Sequence, residues 1–189
     1  VVLVDADLGG ANLHTCLGVG PPAVTLSDFV ERRVASLEEV LVPTSHERLK
    51  LVSGASDGLD AANPKHSQKN KLIRNLRSLD VDYVLLDLGA GSAFNVLDFF
   101  LSADTGIVVM LPEPTSIENA YRFIKAAFFR RLQLLAPKDD FAALVGQALS
   151  PRDGSMGRTP WDVVAELRPQ DPEKATRLEQ ALTGFHPWV

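Results

Sequence analysis

The sequence predicts an α/β domain on a mostly parallel sheet with crossover helices, and three observations carry that expectation. Strand-like apolar runs occur at 1–4, 49–53, 82–87 and 106–111. Between them, apolar residues recur at helical spacing, the alternation that parallel strands joined by crossover helices produce. The third observation is how the runs end: Asp5 and Asp7 follow the first, Asp87 closes the third and Glu113 follows the fourth.

Taken in order, "VVLV" is the first strand, and "TLSDFVERRV" and "SLEEVLVPT" read as two short helices before the second. Ser36 is a candidate N-cap there, with Glu39 closing a capping box. "NPKHSQKNKLIRNLRSL" sets Leu72, Leu76 and Leu79 at helical spacing ahead of the third strand, and "AFNVLDFFLSA" follows it as a helix. "TSIENAYRFIKAAFFRRLQLL" is the longest helix, started by Thr115 or Ser116, with Glu118 near the positive end of its dipole. Residues 1–136 form the expected core of the domain. Prolines 151, 160, 169 and 172 cut residues 137–189 into short amphipathic pieces, a helical appendage that returns to the sheet as a further strand near Pro187.

The chain has 189 residues, 46% of them hydrophobic, enough for one well-packed domain. A net charge of -5 argues against a general nucleic-acid binder. Cys16, the single cysteine, excludes a disulfide framework and fits a reducing compartment. No stretch approaches the roughly 18 apolar residues of a membrane span, so a soluble, cytoplasmic protein is expected, and nothing supports or excludes membrane attachment. Val1 already lies within a strand pattern and "FHPWV" begins another, which reads as a fold truncated at both ends.

In open parallel sheets, ligands gather beyond the carboxyl ends of the strands. Carboxylates crowded there repel one another unless a cation sits among them, and Mg²⁺ with a polyphosphate supplies both charge and geometry. Gly9, Gly10, Gly89 and Gly91 lack a Cβ, so backbone N–H groups there can approach phosphate oxygens.

These motifs resemble the MinD/ParA family of deviant P-loop ATPases, and more closely its FlhG/FleN-like flagellar-number regulators. The family's first switch, D-x-D-x-G-x-x-N, is matched by Asp5, Asp7, Gly9 and Asn12, and its second, D-x-x-x-G, by Asp87 and Gly91. "PEPTSIENAYRFIK", residues 112–125, is similar to the strand–loop–helix that follows, so the likeness covers residues 1–132 in the family's order. The resemblance implies that Asp7 orients the water attacking the γ-phosphate of ATP, Asp5 supports the Mg²⁺ shell, Asp87 holds Mg²⁺ through a water, and the Gly91 N–H senses the γ-phosphate. Gly9 and Asn12 would belong to the nucleotide-binding loop. It further implies a nucleotide-dependent homodimer, a protein partner in a polar or flagellar system, and slow turnover, since a carboxylate is a poor base for water. The family's K-G-G-x-G-K-T loop occurs nowhere in these 189 residues, so the chain by itself is expected to be inactive. Gly89 stands where many relatives carry proline.

Other readings compete. "VLLDLGAGSAF" imitates the first motif of S-adenosylmethionine-dependent methyltransferases, with Ala93 at the third glycine and Glu113 available for the ribose, but two strand patterns precede it. As a Rossmann fingerprint it is broken by Phe94. A haloacid-dehalogenase phosphatase would need Thr or Val where Gly9 stands. A non-hydrolysing, partner-binding scaffold of the same fold has no need for the acidic cluster.

Of the remaining features, His14, His46, His66 and His186 show no ligand spacing. Arg122, Lys125, Arg130 and Arg131 are expected on an exposed helix face suited to a partner, and in "FFRR" Phe129 is expected to be exposed. Trp161 and Trp188 are expected to anchor the appendage to the sheet.

Overall fold

A computed structural model describes residues 1–7, 10–54, 66–135 and 159–189. They fall into two compact units, Val1–Ala90 and Gly91–Val189.

The first unit holds a four-stranded sheet of β1 (Val2–Asp5), β2 (Val42–Pro43), β3 (Lys50–Val52) and β4 (Val84–Asp87), in the order β2-β3-β1-β4. Strand β1 runs parallel to both neighbours, with Val4 opposite Val52 on one side and Asp5 opposite Asp87 on the other. Val2, Val4, Leu51 and Val52 are fully buried, as parallel strands demand. Helices α1 (Leu13–Cys16), α2 (Leu26–Val30) and α3 (His66–Arg77) complete the unit. At the start of α2, the Thr25 N–H and hydroxyl both donate to Asp28, at 2.7 and 3.0 Å. That cap directs Leu26, Phe29 and Val30 inward, and Leu72 and Leu76 of α3 are buried at the expected spacing.

The segment "SLEEVLVPT" departs from its helical reading. Glu39 does close half a capping box, accepting from the Ser36 N–H at 2.9 Å, but only a 3₁₀ turn forms at Glu38–Val40. Pro43 pushes Val42 into extended backbone, and Val42–Pro43 becomes an edge strand antiparallel to β3.

The second unit contains α4 (Phe94–Ser102), α5 (Pro114–Leu135), α6 (Pro160–Leu167) and α7 (Pro172–Thr183). Helix α4 is tied to α5 by an edge-to-face pair of Phe100 and Phe123 and by Arg130, which grips Asp98 through Nε at 2.7 Å and Nη2 at 3.3 Å. Ser116 does not cap α5. Its Oγ accepts from the Leu111 N–H at 2.9 Å and so fixes the turn into the helix.

Five further expectations are corrected here. Run 106–111 does not become a full strand: Ile107 makes one parallel bridge with Trp188, and Val109 is 91% exposed. A ladder needs a partner along its length, and among the described residues only Trp188 bridges this run. The tail around Pro187 is correspondingly reduced to that bridge. Phe129 is buried, because Phe128 and Phe129 both enter a core with Leu132, Val163, Val164, Leu167, Ala175 and Leu178. Helices α6 and α7 cover an arc of α5 wide enough for adjacent positions. Arg130 and Arg131 are likewise occupied, Arg131 donating to the Gly184 carbonyl at 2.7 Å. Both tryptophan side chains are exposed, so Trp188 is held by its backbone and not by its indole. The expected boundary at 136/137 lies outside the described residues.

Candidate functional site

The carboxyl ends of β1 and β4 place Asp5 and Asp87 side by side. As register partners on parallel strands they share one face of the sheet, about 4.8 Å apart along the hydrogen-bonding direction. The ladder continues one step further, with the Ala6 N–H donating to the Asp87 carbonyl at 2.8 Å. Asp5 is buried and Asp87 is exposed.

Burial pushes the Asp5 carboxyl above its ordinary value, since it removes the water that favours the charged form. The Leu13 N–H, donating to Oδ2 at 3.0 Å, opposes that rise, and the nearby Asp87 charge adds to it. A carboxylate pair of this kind is relieved by a cation.

Asp7, half-buried, stands in the loop after β1. Its carbonyl accepts from the Gly10 N–H at 3.1 Å. Its carboxylate lies against Gly89, in the loop after β4, so that a Cβ built on Gly89 would stand 2.5 Å from Oδ2. Asp5 and Asp87 are thus neighbours at adjacent strand ends, and Asp7 rests against the loop that follows Asp87, all within the first unit.

Asn12 precedes α1 and is exposed; its carbonyl accepts from the Thr15 and Cys16 N–H groups, while its side chain makes no capping bond. Gly91 is exposed with φ +100°, a left-handed backbone that favours glycine. Gly9 lies outside the described residues. Among the described residues, no group of three or more His, Cys, Asp and Glu is arranged to hold a metal ion alone. Two carboxylates suffice for Mg²⁺, which keeps several waters and takes its other ligands from phosphates, so Asp5 and Asp87 fit that ion.

Sequence reasoning missed Gly54, which follows β3. A Cβ there would lie 2.3 Å from the Asp5 carbonyl oxygen, so the end of β3 can pass this close to Asp5 only with glycine present. A glycine immediately after a predicted strand was the available signal.

No family model matches the chain. The antiactivator FleN of Pseudomonas aeruginosa is 32% identical over 160 residues, covering 82% of this chain and 53% of FleN. The flagellum site-determining protein YlxH of Helicobacter pylori is 27% identical over 165 residues, covering 82% of this chain and 50% of its own length. The septum site-determining protein MinD from Pyrococcus horikoshii, solved with Mg-ADP, superposes with a TM-score of 0.55 at 29% identity, over 62% of this chain and 48% of that one. The chain belongs to the MinD/ParA family.

FleN and YlxH support an FlhG/FleN-like position for it within the MinD/ParA proteins. The α/β fold with a mostly parallel sheet agrees with the MinD structures. This MinD/ParA chain spans about half the length of the relatives it matches.

Proposed function

We propose that these residues form the switch region of a MinD/ParA-like ATPase, a nucleotide-timed spatial regulator that works in flagellar or cell-pole placement. The observation that carries the reading is the convergence of Asp5 and Asp87 at adjacent strand ends with Asp7 over the following loop. The names of YlxH and MinD, flagellum and septum site-determining proteins, support the spatial role, and the Mg-ADP bound to the Pyrococcus horikoshii protein supports a magnesium nucleotide as ligand.

In this reading Asp5 and Asp87 hold hydrated Mg²⁺, which when bound supplies charge neutralisation for the triphosphate. Asp7 accepts a hydrogen bond from the attacking water and fixes its direction, so its contribution is orientation more than proton abstraction. Asn12 and Gly9 belong to the nucleotide loop, and the Gly91 N–H donates to the γ-phosphate. Turnover is slow, which suits a timer. The ATP-bound protein is a homodimer in the cytoplasm, and that dimer presents the surface its protein partner reads. No described helix is long and apolar enough to cross a membrane.

The test is Asp7→Ala in the intact protein. The variant should bind ATP and persist as a dimer while phosphate release stops; release at the parent rate would refute the assignment.

A further inference from the structure

Two glycines enclose the Asp7 carboxylate from different parts of the chain. At Gly89 the three atoms nearest a built Cβ all belong to Asp7: Oδ2 at 2.5 Å, Cγ at 2.6 Å and Cβ at 3.0 Å. At Gly10 they are again all of Asp7, with Oδ2 at 2.8 Å, Cγ at 3.4 Å and Oδ1 at 3.5 Å. The two positions differ in backbone. Gly89 has φ +64°, so glycine is required there by conformation and by space, whereas at Gly10 only the space is restrictive.

We infer that Gly10 and Gly89 form a seat for the Asp7 carboxylate, and that this seat ties the loop after β1 to the loop after β4. The Asp7 main chain is fixed by the Gly10 N–H on its carbonyl, so the freedom left to the residue is rotation of its side chain. One side of that rotation is closed by Gly89. Rotation of Asp7 toward Gly89 therefore opens only when the loop carrying Gly89 moves, and the position of the second loop limits the aim of the first loop's carboxylate. Gly10 and Gly89 act through Asp7 and are positioning residues. The consequence for turnover rests on the proposed role of Asp7 in orienting water; the seat itself rests on geometry alone.

A double-mutant cycle on the nucleotide-free, 189-residue chain tests the seat directly. Gly10→Ala should raise the unfolding equilibrium constant about tenfold when Asp7 is present and leave it nearly unchanged in an Asp7→Ala background, where the obstructing carboxylate is gone. Gly89→Ala, which also strains the backbone, should destabilise in both backgrounds but less when Asp7 is Ala. Additive effects in the Gly10 cycle would overturn the seat whatever the turnover. In the intact protein, Gly10→Ala should lower kcat about tenfold or more with KM for ATP held within about twofold, because the aim of the carboxylate changes and nucleotide binding does not. A KM that rises with kcat unchanged would overturn the positioning role. A coupled unfolding cycle together with normal phosphate release by Asp7→Ala would instead defeat the reading of Asp7 as the water-orienting residue.

Discussion

Replacing Gly54 with alanine should disturb the fold and the candidate site together. The added Cβ would stand 2.3 Å from the Asp5 carbonyl oxygen and 3.2 Å from its carbon, with the Ala11 Cβ at 3.4 Å. Real Cβ contacts essentially never fall under 3.0 Å, so the strand ends must separate by at least about 0.7 Å. Here the obstacle is backbone, one residue beyond the paired Val4 and Val52, and separation strains the β1–β3 ladder. Overpacking typically costs about 1–3 kcal/mol, and a rigid obstacle puts this case near 2–3 kcal/mol. Urea unfolding of the chain should show that loss as a lower midpoint with an unchanged slope. Gly20→Ala is the control, since nothing lies within 4 Å of the built Cβ and the change should stay within about 0.5 kcal/mol. In the intact protein, Gly54→Ala should also weaken magnesium-dependent nucleotide binding, because Asp5 is displaced with its strand. A stability loss under about 0.5 kcal/mol would refute the close approach and the argument that Gly54 places Asp5.

Phe129→Ser should destabilise by about 3–5 kcal/mol, since it removes a buried aromatic ring and leaves a hydroxyl in the core shared by α5, α6 and α7; a loss below about 1 kcal/mol in urea unfolding would contradict that core. Stability contributed by Asp28 should vanish in acid. Burial raises its carboxyl, but the Arg33 hydrogen bond and the Thr25 N–H and hydroxyl outweigh burial and hold it below the ordinary value. A folded value below the unfolded one means that the contribution is fully present above about pH 4 and is lost as pH falls through the folded value. The stability gap between the parent and Asp28→Asn should therefore narrow on acidification, and a gap that widens would show the sign to be wrong.

The acidic strand ends were legible because their signal is local. A β-branched run that stops at a carboxylate announces a strand terminus, and equal offsets from Val2 and Val84 to Asp5 and Asp87 already allow the two acids to share a register. Helices α3, α4 and α5 were legible for the same reason, through spacing that repeats every turn. The misreadings came where a residue's state depends on a distant neighbour. Phe129 is buried only because α6 and α7 cover its side of α5, and those helices begin more than thirty residues later. Run 106–111 has strand composition, yet a strand is defined by its partner, and the bridge from Trp188 serves one residue of it. Glycine carries the least information of all in isolation: Gly54 looks like an ordinary loop residue until Asp5 is seen against it, and Gly10 and Gly89, read from the sequence as positions open to a phosphate, give no sign there of their contact with Asp7.

By itself, then, the sequence determined which side chains stand at the ends of strands, where helices run, and which chemistry a cluster of carboxylates and glycines favours. Only the tertiary structure decided that Asp5 would lose its water, that Asp7 would rest on a glycine from another loop, and that two adjacent phenylalanines would both be buried. The reason is physical. Backbone preference and periodicity act over a few neighbouring residues, whereas desolvation and steric contact are set by groups brought together from remote parts of the chain.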